Sequence, residues 1–318
     1  MNSKIRIELS DLNILKVIKL ERGLSNDAFL ITLHSNNEKI DSKLIFKEYK
    51  LEKTKEDLDR LVLAQNYFSE KTSKIPRIIK CGLTSDFPKG YMLMNYCKGE
   101  TIADNSDLVT KFAINDLISI LNIFGNAKFN EVAFSTQKIT IGDFYKGVLD
   151  MIQETTVHLQ DAQSKFLNHS YKILNNVSSN KILYSSELVD KFVHYDLSFE
   201  NILLDSKGLS GIIDFDLCRQ GDSNFDKHYL LCHLLQAGVH IDNVKYAVAN
   251  VFKEGISDST YDSGIFISNF VALQQVMTLR KRIIKNPVVK TELIKSVSNF
   301  LDEFMQKNKY EALLNEIR

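Results

Sequence analysis

The segment His194-Tyr195-Asp196-Leu197-Ser198-Phe199-Glu200-Asn201-Ile202-Leu203-Leu204, followed by Gly211-Ile212-Ile213-Asp214-Phe215-Asp216, is compatible with few folds. It spells H-x-D-x-x-x-x-N, an apolar run, a turn at Lys207-Gly208, a second apolar run and then D-F-D. Two short apolar runs around a Gly-containing turn predict a hairpin. Such a hairpin returns Asp214 to the loop that carries Asp196 and Asn201, so two carboxylates and a carboxamide share one small volume. That set suits phosphoryl transfer. One Asp positions and deprotonates an attacking hydroxyl, while an Asn and a second Asp hold Mg²⁺ on the phosphates of a nucleotide. A lone H-x-D is commonly structural, and two Asp flanking an aromatic residue also suit a turn. It is the ordered set, with apolar strands in its gaps, that carries the chemistry. His194 is expected to support the loop rather than react. Asp216 is a supporting carboxylate, with a second metal ion as its other reading.

These residues resemble the aminoglycoside phosphotransferase and choline kinase family, small-molecule kinases built on the protein-kinase fold. Members often read H-G-D-x-x-x-x-N and then I-D-[FW]-[DEG]; here Tyr195 stands where Gly is usual. The resemblance implies an α+β, bilobal protein-kinase-like fold: a small N-terminal antiparallel sheet lobe over a larger, mainly helical lobe. It divides the chain into a nucleotide-binding lobe at 1–95, a hinge at 96–102 and a C-terminal lobe at 103–318. It also implies Asp196 as the catalytic base, Asn201 and Asp214 as Mg²⁺ ligands, and ATP or GTP as phosphate donor. The match continues through Gly221-Asp222-Ser223-Asn224-Phe225-Asp226, like the family's G-D-P-x-x-D with Ser223 in place of Pro. There Asp226 opens a helix, where an acidic side chain suits the dipole, and by the resemblance braces the catalytic loop.

Upstream, residues 13–49 read as strands. Ile14 to Leu20 and Ala28 to Leu33 flank the polar cluster Glu21-Arg22-Gly23-Leu24-Ser25-Asn26-Asp27. Strand, small turn, strand can lay backbone N–H groups over phosphates, though standing alone it reads first as an ordinary hairpin turn. It resembles the family's G-x-[ST]-N-x-x-[FY] loop, which would bring the Ser25 hydroxyl and the backbone of Asn26 and Asp27 to the β- and γ-phosphates. In Lys43-Leu44-Ile45-Phe46-Lys47 side chains alternate, with Leu44 and Phe46 on one face and Ile45 and Lys47 on the other. An inward lysine needs an anionic partner; in the family it contacts the α- and β-phosphates. A helix is expected over Lys53 to Glu70, with Leu58, Leu61, Gln65 and Phe68 on one face. A kinase fold places a glutamate there to hold the lysine. Glu52, Glu56 and Asp59 are candidates, and Glu56 lies close to the apolar stripe.

Ile75 to Lys80 and Gly90 to Met94 read as paired strands, leading into Asn95-Tyr96-Cys97-Lys98-Gly99. This resembles the family's L-[LM]-M-x-x-x-x-G hinge, which implies Met94 at the back of the base pocket and backbone bonds to the base from Asn95 and Cys97. Residues 104–180 read mostly helical, with a loop at 126–138, as do 244–252, 264–285 and 288–317. His158, His169, His228, His233 and His240 have no zinc spacing, and His233 is expected to pack on its helix.

With 40 basic and 40 acidic residues the formal charge is zero. A nucleic-acid footprint would need a basic excess, so no nucleic-acid partner is expected. No apolar run approaches the ~18 residues that span a bilayer, and the N-terminus lacks a signal-peptide core. Cys81, Cys97, Cys218 and Cys232 lack C-x-x-C spacing and suit free thiols in the cytoplasm. The function implied is transfer of a γ-phosphate to a hydroxyl of a small molecule: an aminoglycoside-type antibiotic, choline or ethanolamine, homoserine, or a sugar. The basic run Arg280-Lys281-Arg282 would repel a cationic aminoglycoside unless it is only a solvated helix face. A catalytically silent nucleotide-binding regulator is the alternative, although such proteins usually lose one member of the Asp, Asn, Asp set. A protein kinase is another, disfavoured by the missing A-P-E element.

Overall fold

The computed structural model describes residues 2–20, 26–34, 43–127, 191–285 and 309–318. The chain begins with a short helix, α1 (Asn2–Glu8). It then builds five strands: β1 (Ile14–Leu20), β2 (Asn26–Leu33), β3 (Lys43–Tyr49), β4 (Ile78–Gly82) and β5 (Tyr91–Asn95). They form one antiparallel sheet in the order β1-β2-β3-β5-β4. The alternation read in β3 decides what each face does. Leu44 and Phe46 are fully buried on the outer face, in a cluster with Phe29, Ile31, Leu93, Ile5 of α1 and Leu9 just beyond it. Met92, Met94 and Ile45 turn to the other face, into the core shared with the rest of the molecule.

Helix α2 (Lys55–Lys71) crosses between β3 and β4. Thr54 and Asp57 start it with a reciprocal capping box, which satisfies two N–H groups that would otherwise be bare. Its buried positions are Leu58, Leu61, Ala64, Gln65 and Phe68, the stripe that the 3.6-residue period requires.

Beyond β5 the chain makes a short strand β6 (Glu100–Thr101) and helix α3 (Lys111–Asn126). Four strands follow: β7 (Lys191–Val193), β8 (Ile202–Asp205), β9 (Gly208–Ile212) and β10 (Arg219–Gly221). Then come α4 (Asn224–Gln236), α5 (Ile241–Val251), α6 (Asp258–Lys285) and α7 (Lys309–Asn315). β8 and β9 are the expected hairpin, closed with Asp205 opposite Gly208. Gly208 has φ 107°, a conformation that glycine adopts without a Cβ clash. β6 adds to its other edge and β10 pairs with β7. His158, His169 and most of the helical sequence expected between 104 and 180 lie outside the described residues.

The segment after β5 lies hard against the hairpin. A Cβ on Gly99 would press on Ser210 Oγ and lie 2.7 Å from the carbonyl oxygen of Leu204, and one on Gly211 would meet Cys97 Cβ at 2.7 Å. Nearby, Ile212 N–H donates to the Lys74 carbonyl at 2.8 Å. Gly99→Ala is therefore expected to cost about 1–3 kcal/mol in urea unfolding, the usual range for forcing atoms into packed space. Gly125→Ala in α3 meets nothing nearer than 3.6 Å and should be neutral or slightly stabilising, because Ala favours helix.

Candidate active site

The loop between β7 and β8 is pinned from α4. Asp226 is 2 % exposed. Its Oδ2 accepts the His194 N–H at 2.7 Å and its Oδ1 accepts the Tyr195 N–H at 3.0 Å. His194 Nδ1 accepts the Asp196 N–H at 3.3 Å, and its ring packs edge-on to Phe215 with centroids 4.6 Å apart. Burial pulls His194 down to about 3, against the carbonyl of Ile213, so the ring is neutral near pH 7. Tyr195 stands in the left-handed region, φ 63°, which costs a non-glycine residue roughly 1–2 kcal/mol. Its side chain lies against Gly221, where a Cβ would sit 3.1 Å from Tyr195 Cζ, and its ring packs on Phe225.

Burial pushes the Asp226 carboxyl up to about 7, against the two backbone N–H groups that favour its charged form. The folded state therefore prefers this carboxyl protonated. The resulting stability is complete below about pH 4 and is lost as the pH rises through about 7, by at most about 1.4 kcal/mol per unit. In urea unfolding, the wild type should gain on Asp226→Asn as the pH falls through that window. A difference that stays flat with pH would contradict this.

Asp196 and Asn201 form one bonded unit. The Asn201 Nδ2 donates to Asp196 Oδ2 at 2.8 Å and to the Asp196 carbonyl at 3.0 Å. Both amide hydrogens are thereby committed, which leaves the carboxamide oxygen to face a cation. Tyr229 OH stands 3.4 Å from Asp196 Oδ1 and 3.0 Å from Gln274 Oε1, and its one proton can serve either. Burial, then the charge of Asp214, push Asp196 up to about 7, with the bonds from Asn201 and Tyr229 opposing.

Asp214 stands at φ 65°, ψ 73°, which turns its carboxylate toward the sheet lobe. Its Oδ1 accepts Lys47 Nζ at 3.0 Å and the Asp216 N–H at 3.4 Å. Among the described residues Oδ2 takes no donor. Lys47 also pairs with Asp216 Oδ2 at 3.0 Å. Burial lowers the Lys47 ammonium, but Asp214 and Asp216 outweigh it and hold it above its ordinary value. A buried lysine with two carboxylates is the arrangement that its position in β3 demanded.

Other expected contacts differ. Glu56 is exposed in the first turn of α2, and the carboxylates that hold Lys47 are Asp214 and Asp216. Acidic side chains favour that first turn for the helix dipole, so nearness to the apolar stripe pointed the wrong way. Asn26 and Asp27 belong to β2, opposite Tyr49 and Glu48, rather than to the preceding turn. Asn26 Nδ2 donates to Asp216 Oδ2 at 3.2 Å, and Asp27 pairs with Lys19 and Lys50 at 3.1 and 3.2 Å. Ser25 lies outside the described residues. Met94 is buried, with the Gln65 amide 3.8 Å from its Sδ. The Asn95 N–H donates to the Arg77 carbonyl, which removes it from the groups that could hold a base. Cys97 packs on Gly211. Tyr49, Tyr229 and Gln274 carry no sequence signal for the site; in sequence the two tyrosines read as apolar strand and helix positions.

The site offers two hard oxygen donors, the Asn201 carboxamide and Asp214 Oδ2. Among the described residues no group of three or more His, Cys, Asp or Glu could hold a metal alone. Two hard oxygens suit a small hard cation such as Mg²⁺, which takes one or two protein oxygens and completes its shell with phosphates and water.

The phosphotransferase enzyme family model matches residues 16–237. No curated protein sequence matches the chain. Solved structures match over nearly its whole length. The GDP and kanamycin complex of APH(2″)-IIIa is 16 % identical, with TM-score 0.65, covering 96 % of this chain and 98 % of that one. ADP-bound aminoglycoside phosphotransferase APH(2″)-Ib is 18 % identical, with TM-score 0.56 and coverages of 94 % and 96 %. An apo form of APH(4)-Ia is 12 % identical, with TM-score 0.61 and coverages of 94 % and 98 %.

Proposed function

Because the chain belongs to the phosphotransferase enzyme family and has the protein-kinase-like fold of its neighbours, we propose that it moves the γ-phosphate of ATP or GTP to a hydroxyl of a small polar substrate, with Asp196 as the base. The observation that carries this reading is the convergence, from three separate elements, of two bonded pairs, Asp196 with Asn201 and Lys47 with Asp214, which the Ile213 N–H to Asn201 carbonyl bond holds side by side. Residues 1–95 form the nucleotide lobe, 96–102 the hinge and 103–318 the lobe that receives the acceptor.

Asn201 and Asp214 would hold Mg²⁺, which when bound would supply charge neutralisation on the phosphates. Lys47 lies beside Asp214, where a leaving phosphate oxygen can take its N–H groups. Asp196 accepts the proton of the substrate hydroxyl as its oxygen bonds to the γ-phosphorus and the bond to the β–γ bridging oxygen breaks. His194 and Asp226 fix the loop backbone, so Asp196 needs no reorganisation when the proton moves. Such catalysis is chiefly positioning and charge stabilisation.

Solved neighbours carry GDP, ADP and kanamycin in their complexes. Aminoglycosides are therefore the first acceptors to try, followed by choline, ethanolamine, homoserine and simple sugars. The test is phosphate transfer from ATP and from GTP, with Mg²⁺, across that panel. Turnover that Asp196→Asn removes supports the reading, and a protein that binds no nucleotide at all overturns it.

A further inference from the structure

We propose that Asp216 is the positioning residue for Lys47, in the place a kinase-type fold gives to a helix carboxylate, and that it is not a metal ligand. The inference rests on the kinase reading above and deepens it.

The inward side chains of α2 are Leu58, Leu61, Ala64, Gln65 and Phe68, with no carboxylate among them. Lys47 is 9 % exposed and needs a negative partner that survives when Asp214 is engaged elsewhere. Asp216 meets that need by its bonding. Its Oδ2 accepts Lys47 Nζ at 3.0 Å and Asn26 Nδ2 at 3.2 Å. Its Oδ1 accepts Tyr49 OH at 3.2 Å. Three donors from β2 and β3 thus occupy both oxygens, and the side chain is 18 % exposed. Asp214 is the opposite case: Oδ1 takes the lysine, while Oδ2 takes no donor among the described residues and the side chain is 33 % exposed. The two carboxylates, two residues apart, divide the work. Asp214 keeps an oxygen for a cation, and Asp216 ties the metal-bearing turn to the strands that carry Lys47. When phosphates and a cation draw on Asp214, Lys47 keeps one fixed anchor and stays aimed.

The experiment measures kcat in Asp216→Asn, Lys47→Met and the double variant, together with Mn²⁺ affinity by electron paramagnetic resonance in the presence of a non-hydrolysable nucleotide. Asp216→Asn is expected to lower kcat about tenfold, the loss for one charge-assisted bond. In the Lys47→Met background it should change kcat by no more than about twofold, because coupled residues are non-additive. Its Mn²⁺ affinity should match wild type, whereas Asp214→Asn should lose affinity. Tyr49→Phe, which removes one anchor of Asp216 and no charge, should show a weaker form of the same pattern and guards against misfolding of the first variant. An Mn²⁺ affinity reduced as in Asp214→Asn, or a full loss that persists without Lys47, overturns the proposal and leaves the kinase reading standing. A wild type that binds no Mn²⁺-nucleotide overturns both.

Discussion

Asp196→Asn is expected to lower kcat by about 10²–10⁴, the range for a lost general base, with nucleotide affinity unchanged. The substitution keeps size and shape, and Asn201 Nδ2 can still donate to the carboxamide oxygen, so the loop should hold. What disappears is the carboxylate proposed to accept the proton. The pH profile adds a second check. Burial and the charge of Asp214 hold this carboxyl at about 7, and only the ionised form can act as base. In wild type kcat/KM should therefore be full above neutrality and fall as the pH drops through about 7. A cation on Asp214 removes one of the two causes, so the limb in kcat should lie lower than that in kcat/KM. An Asn variant that keeps more than about a tenth of the wild-type rate would remove Asp196 from proton transfer.

Asp214→Asn should separate activity from stability. The loss of the proposed cation ligand, with its charge, is expected to lower kcat by about 10²–10³, and to raise the Mg²⁺ concentration for half-maximal rate by at least about tenfold. Folding should survive for two reasons. Lys47 retains Asp216 at 3.0 Å, so no buried charge is stranded. Asn also tolerates the left-handed backbone found at 214 better than most residues. A thermal midpoint close to wild type, beside a lost rate, is the expected pair of results. A variant that unfolds instead would assign Asp214 to the scaffold.

Much of this arrangement is legible in sequence because it is local. Asp196 and Asn201 are five residues apart, and a hairpin with its turn at Lys207-Gly208 determines where Asp214 arrives. The inward aim of Lys47 follows from strand alternation alone. What holds Lys47 does not follow. Its partners lie on the far side of the chain, with a sequence separation of 167 to Asp214, and no period or spacing reports on such a distance. Glu56 is not that partner for a related reason: it obeys the local rule for a helix first turn, and that rule says nothing about the lysine. Asn26 belongs to a polar cluster that reads as a turn, yet β2 extends to it, and its side chain reaches Asp216 instead. Tyr229 carries no sequence mark at all; an aromatic residue in a buried helix reads as core until its hydroxyl is seen near Asp196.

Tyr195 and Gly221 are a matched pair, and this bears on how the protein can change. The phenol of one occupies the space that any side chain on the other would require. Substitutions at position 221 alone should cost stability while Tyr195 remains. Once position 195 is glycine, which the local backbone accepts more easily, position 221 becomes free to vary. The order of substitution therefore matters: one mutational path is open and its reverse costs stability. Library design and ancestral reconstruction around this loop must treat the two positions as one unit.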